Sequence, residues 1–124
     1  MAKCEKGYLC IVCGSEVEEL SDSELYLRYT VGWLDPERLH IAPERHLACN
    51  PALAQFIDVE KFANIFASGD SDKRQLDSIF VAERTRLLTR GYQRLLEIQR
   101  ASAPISITEY PLPEASAKYR RETS

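Results

Sequence analysis

Tyr8-Leu9-Cys10-Ile11-Val12-Cys13-Gly14 and, further along, His46-Leu47-Ala48-Cys49-Asn50-Pro51 carry the pattern from which the rest of the chain can be read. Each stretch sets two metal-binding side chains two residues apart. That spacing lets one tight turn aim both side chains at a single ion, with the backbone N–H groups of the turn facing the thiolates. Gly14, directly after the second cysteine, suits a left-handed backbone position. Cys10, Cys13, His46 and Cys49 are therefore expected to bind one structural zinc ion, three thiolates and an imidazole being a normal tetrahedral set. The competing reading makes the cysteines small buried apolar residues and His46 a surface or capping side chain. A redox CxxC fits less well, because Gly-Ser-Glu-Val-Glu-Glu follows Cys13 where such a motif would open a helix.

Between the two pairs, an acidic stretch from Glu16 to Glu24 reads as a solvated loop. From Leu25 to Trp33 the sequence alternates, with Leu25, Leu27, Tyr29, Val31 and Trp33 on one face and Tyr26, Arg28 and Thr30 on the other. Period two with aromatic and β-branched residues predicts a strand. A helix competes, since Ser21-x-x-Glu24 could be a capping box. Asp35-Pro36-Glu37-Arg38 predicts a turn. Leu39-His40-Ile41 would be the returning strand of a hairpin over residues 25–42, and Pro43 would end it.

Asn50-Pro51 predicts a helix start, which runs through Leu53, Phe56, Ile57, Phe62 and Phe66, with a break near Asp58, to Ser68-Gly69. Asp70 or Ser71 would cap a second helix from about Asp72 to Gln99. On it Leu76, Phe80, Leu87, Leu88, Leu95 and Ile98 share one face, and Gly91 lies on that face where it would allow a close approach. Arg84 falls inside the same stripe. Arg86, Arg90 and Arg94 form a line that reads either as a solvated face or as a docking strip for an acidic protein or a phosphate backbone. A helix of this length extends about 42 Å. Part of its apolar face is expected to need a protein partner or a second copy of the chain. Ile105 to Tyr110, set between prolines, would be an edge strand, and the polar end from Glu114 to Ser124 a disordered tail.

The whole amounts to 124 residues, 44% hydrophobic, with a net charge of −3. That suffices for one modest core and argues against a protein that coats nucleic acid, which needs accumulated Lys and Arg. No stretch reaches the roughly 20 apolar residues that span a bilayer. The opening Met-Ala-Lys-Cys-Glu-Lys-Gly carries no apolar run, so the expected location is cytoplasmic, where thiols stay reduced and serve as ligands rather than disulfides. Cys4 is expected to be a free thiol. The chain is thus expected to be α+β, with a zinc-binding module in residues 1–69 followed by the long helix and proline-rich tail in residues 70–124, the two forming one compact unit.

The order of CxxCG knuckle, hairpin and second ligand pair at a helix start resembles the treble-clef zinc fold, over roughly residues 8–58. The resemblance implies Cys10 and Cys13 on the knuckle and His46 and Cys49 at the helix start. His40-Ile41-Ala42-Pro43 after such a knuckle also resembles the HNH-type nucleases, which implies His40 as the residue that activates water. Leu39 stands where that family has an acidic residue, and no second histidine follows Asn50. Signatures of zinc deaminases and of HExxH hydrolases are absent. Were His46 or Cys49 not a ligand, Glu44 would be the obvious general base. The function expected is therefore a non-enzymatic, zinc-stabilised interaction or adaptor protein. The alternative is a nucleic-acid-related role, by HNH-like cleavage or by binding.

Overall fold

A computed structural model describes residues 8–39 and 41–116. Among them the chain is mostly helical, with one small two-stranded ladder. Strands β1 (Tyr8–Leu9) and β2 (Glu16–Val17) pair antiparallel, Tyr8 opposite Val17 and Leu9 opposite Glu16. The turn between them is closed by Cys10 N–H donating to Ser15 O at 2.8 Å and Gly14 N–H donating to Cys10 O at 2.9 Å. Gly14 takes the expected left-handed backbone, with φ of +78°.

The next element overturns the predicted hairpin. Glu24–Thr30 form a helix, α1, not a strand. Ser23 caps it, its hydroxyl accepting from Tyr26 N–H at 3.0 Å. At the other end Gly32, with φ of +89°, terminates it. Gly32 N–H donates to Tyr29 O and Trp33 N–H to Arg28 O, the paired bonds of a Schellman ending. The alternation misled because α1 is buried nearly all round: Leu25, Tyr26, Leu27, Tyr29 and Thr30 are all inside. A helix without a solvated face has no 3.6-residue polar rhythm to display. Asp35 does start the expected turn, as the cap of a 3-10 turn over Pro36–Arg38. Among the described residues no returning strand comes after it, since Ile41 and Ala42 N–H both turn back onto Arg38 O. His40 lies outside the described residues.

The predicted helix over residues 51–68 shrinks to α2 (Pro51–Ala54), followed by short 3-10 turns. Five successive residues, Leu53 to Ile57, are buried, which one face of a helix could not achieve. Gln55 replaces the missing helical hydrogen bonds. Its amide oxygen accepts from Ala67 and Lys73 N–H at 3.1 and 2.9 Å, and its NH₂ donates to Ser71 O at 2.8 Å. Gly69 is left-handed as expected, but it opens a 3-10 turn instead of ending a helix.

The long helix, α3, spans Ser78–Arg100 and is capped by Asp77, whose carboxylate accepts from Ile79 and Phe80 N–H. It starts later than predicted because Asp72 is used to cap a separate turn over Lys73–Gln75. Only its C-terminal half is buried, through Leu88, Gly91, Tyr92, Leu95 and Ile98. Gly91 has the role anticipated for it. A Cβ there would lie 2.5 Å from Val31 Cγ1 and 2.9 Å from Leu27 Cδ1, so its absence sets the contact between α3 and α1.

The segment after α3 is not an edge strand. Ile107–Glu109 form a 3-10 turn, and Leu112 N–H donates to Thr30 O at 3.0 Å, so this segment closes over the end of α1. Glu114 to Ser116, expected as part of the tail, belong to a helical turn in which Ser116 N–H donates to Leu112 O. Residues 117–124 of the expected tail lie outside the described residues. Arg94 donates to the Glu109 and Tyr110 carbonyls and pairs with Glu97, while Arg90 pairs with Glu114. The buried core extends from Leu20 through α1 and α3 to Leu112 and so draws on both halves of the chain. No helix among the described residues is long and apolar enough to cross a membrane.

Candidate metal centre

The four residues predicted as ligands converge. Cys10 Sγ, Cys13 Sγ, His46 and Cys49 Sγ present ligand atoms that all lie within 4.8 Å of one another. His46 Nδ1 is 3.4 Å from Cys13 Sγ and 3.9 Å from Cys49 Sγ. A tetrahedral ion with Zn–S near 2.3 Å and Zn–N near 2.0 Å has N–S edges of about 3.6 Å. The donor set therefore suits a metal ion in number and chemistry, and the His46–sulfur distances lie close to such an edge.

Local structure explains why these atoms meet. The β1–β2 turn carries Cys10 and Cys13. The other pair sits where the chain returns to the turn: Ile11 N–H donates to Glu44 O at 3.0 Å, and Ser23 bridges His46. A 3-10 turn over Leu47–Cys49 then brings Cys49 round beside His46. The imidazole is fixed in tautomer, because Nε2–H donates to the Glu16 carbonyl at 3.0 Å and leaves Nδ1 as the lone-pair face toward the sulfurs.

The electrostatics favour thiolates at the buried end. Burial raises the Cys10 thiol, but N–H groups of Cys13, His46 and Val12 converge on its sulfur and outweigh that, holding it at about 6. The Ser15 N–H lowers Cys13, which is exposed. Cys49 is pushed up to about 11, first by burial and then by the two neighbouring sulfurs. For His46 burial acts downward, but hydrogen bonds that the protonated ring donates to the Cys10 sulfur and the Glu16 carbonyl prevail and raise it. Three sulfurs crowded this closely repel as anions, and a divalent cation is the group that relieves the repulsion.

Behind the cluster lies a buried polar network that the sequence did not reveal. Glu44, the fallback base of the sequence reading, is buried and serves α1: its carboxylate accepts from Ser23 Oγ at 2.9 Å and from Arg45 N–H at 3.0 Å. Glu24, also buried, pairs with Arg45 at 2.8 Å and accepts from Asn50 Nδ2 at 2.8 Å. Asn50, read as a helix cap, thus spends its side chain on this network instead. These contacts lock residues 44–50 to the start of α1 and so hold His46 and Cys49 in place. Nothing in the spacing of Ser23, Glu24 and Glu44 announces them. Cys4 and His40, the two other candidates, lie outside the described residues.

The sequence matches no protein-family model, and neither curated proteins nor solved structures gave a significant match.

Proposed function

We propose that the chain is a non-enzymatic, zinc-stabilised interaction or adaptor protein. The observation that carries this reading is the cluster of four protein donors: all four binding one tetrahedral ion would leave no coordination position for a reacting water. Zinc is the metal of choice for three thiolates and one imidazole. The ion would join the knuckle to residues 46–49, and a treble-clef-like module in which α1 replaces the hairpin describes the arrangement. Its chemistry there is structural, and Cys10, Cys13, Cys49 and His46 Nδ1 would hold it.

The arginines of α3 support the protein-interaction reading over a nucleic-acid one. Arg90 and Arg94 are committed to the chain's own C-terminal segment, which breaks the expected basic strip. Exposed apolar side chains, among them Ile11, Val12, Trp33, Ile79 and Phe80, offer surface of the kind that protein partners cover.

The test is the metal content of protein purified without added metal, by elemental mass spectrometry, for wild type and Cys49→Ser. About one zinc per chain is expected, lost together with cooperative unfolding in the variant. A well-folded, metal-free wild type, or iron in place of zinc, would overturn the reading.

A further inference from the structure

Arg84 lies inside an otherwise apolar stripe of the sequence, and the structure gives it an unusual setting. Its guanidinium carbon is 4.5 Å from the centroid of the Trp33 ring and 4.6 Å from that of Phe80. Trp33 follows the Schellman ending of α1, its backbone held by its own N–H on Arg28 O at 2.8 Å. Phe80 meets buried Phe56 edge-on, with centroids 6.2 Å apart. Phe80 and Arg84 stand one helical turn apart on the same face of α3.

Contact with an aromatic face satisfies the charge of a guanidinium only in part and uses none of its N–H donors. Among the described residues Arg84 donates no hydrogen bond and forms no ion pair, unlike Arg90 and Arg94 on the same helix. The group borders a shallow concavity of about 190 Å³, lined also by Glu83 and Leu87. The two rings that line it are themselves uncovered in part, Phe80 being 40% exposed and Trp33 37%.

We propose that the Trp33–Arg84–Phe80 face is a docking site for a protein segment that presents an Asp or Glu side chain beside an apolar one. The carboxylate takes the forked N–H edge of Arg84, a geometry that two parallel hydrogen bonds satisfy. The apolar neighbour covers Trp33 and Phe80. Charge selects this occupant over a polyanion. The site offers one cation with Glu83 beside it, on a chain of net charge −3, which suits a single carboxylate and repels a phosphate backbone. Apolar side chains flank Arg84 along the helix in both directions, Phe80 one turn before it and Leu87 one turn after. The partner chain therefore passes over the site, so that a side chain, not a chain end, supplies the carboxylate. This inference rests on the interaction-protein reading above and gives that reading a surface and a ligand chemistry.

The test uses the metal-loaded, full-length protein. A random-peptide library is panned against it, and the leading binder is synthesised with its acid intact, with Asp→Asn or Glu→Gln, and with its C-terminus amidated. Trp33 is the only tryptophan of the chain, so intrinsic fluorescence reports this site directly. The expected result is a saturable change in Trp33 emission, unaffected by amidation. It should weaken about tenfold or more for the amide-for-acid peptide and for Arg84→Gln protein. The peptide-side change gives the answer even if the Arg84 variant folds poorly. Four outcomes overturn the proposal: no enriched binder that perturbs Trp33, equal binding of the neutral peptide, a stronger response to a single-stranded oligonucleotide, or a Trp33 shift that tracks protein concentration alone and so marks a dimer face. Because zinc content is measured on the same sample, failure here is separable from failure of the zinc reading.

Discussion

Replacing Gly91 by alanine should destabilise the protein, although alanine is the better helix former. The added Cβ would stand 2.5 Å from Val31 Cγ1 and 2.9 Å from Leu27 Cδ1. Ordinary carbon contacts lie at about 3.5–4.0 Å, so α1 and α3 would have to part by about 1 Å. Leu27 can swing its terminal methyl aside, but Val31 is stiff at χ1 and cannot. Overpacking of this kind costs about 1–3 kcal/mol. Against it stands a gain of about 1 kcal/mol from helix propensity. The net loss expected is about 1 kcal/mol, or a fall in Tm of about 3–5 °C for a domain of this size. Urea unfolding followed by circular dichroism would measure it in Gly91→Ala, Val31→Ala and the double variant. Val31→Ala removes the methyl that clashes, so the double variant should be more stable than the sum of the single losses predicts, by about 1 kcal/mol. A Gly91→Ala protein more stable than wild type, with strictly additive effects, would refute the close α1–α3 seam.

Two further expectations concern single side chains. Ser23→Ala removes both the cap on Tyr26 N–H and the hydroxyl that Glu44 accepts, and should cost about 2 kcal/mol. Because the Ser23 hydroxyl anchors Glu44, next to the segment that carries His46 and Cys49, the same variant should also release the proposed zinc to a chelator faster than wild type. Asp72 is held below its ordinary pKa, chiefly by hydrogen bonds from the Arg74 side chain and then from its backbone N–H. A depressed carboxylate contributes stability above its unfolded pKa and loses it as pH falls through the folded one. The Tm of wild type should therefore drop more steeply below about pH 4 than that of Asp72→Asn, and parallel profiles would sink the assignment.

Much of the site was legible because it depends on spacing along the chain. Two CxxC-like pairs, a glycine after the first and a Pro at a helix start needed no tertiary information. The long helix was legible for a related reason, since its half-exposed surface preserves a polar rhythm, and Gly91 stood out as a gap in its apolar face. What could not be read were the elements whose form is decided by what surrounds them. α1 has no polar face, so its pattern alternates by accident; Ser23 before it and Gly32 after it were the overlooked boundary marks. Residues 55–73 look helical by composition, but Gln55 takes over the backbone groups a helix would have paired, and a single buried amide leaves no periodic trace. The segment after Pro104 reads as a strand only if a sheet edge awaits it. Instead Arg90 and Arg94 and the end of α1 receive it.

The enclosure of α1 also has a bearing on how the chain is made. Four of its seven residues, Leu25, Tyr26, Leu27 and Tyr29, are apolar or aromatic and buried in the finished fold. The surfaces that cover them, Leu88 to Ile98 and then Leu112, are encoded far downstream. At about 5–20 residues per second, α1 waits several seconds for its cover. During that interval it is the stretch of the nascent chain with most to gain from a chaperone's grip, and slowing translation between residues 31 and 88 should lengthen its hold.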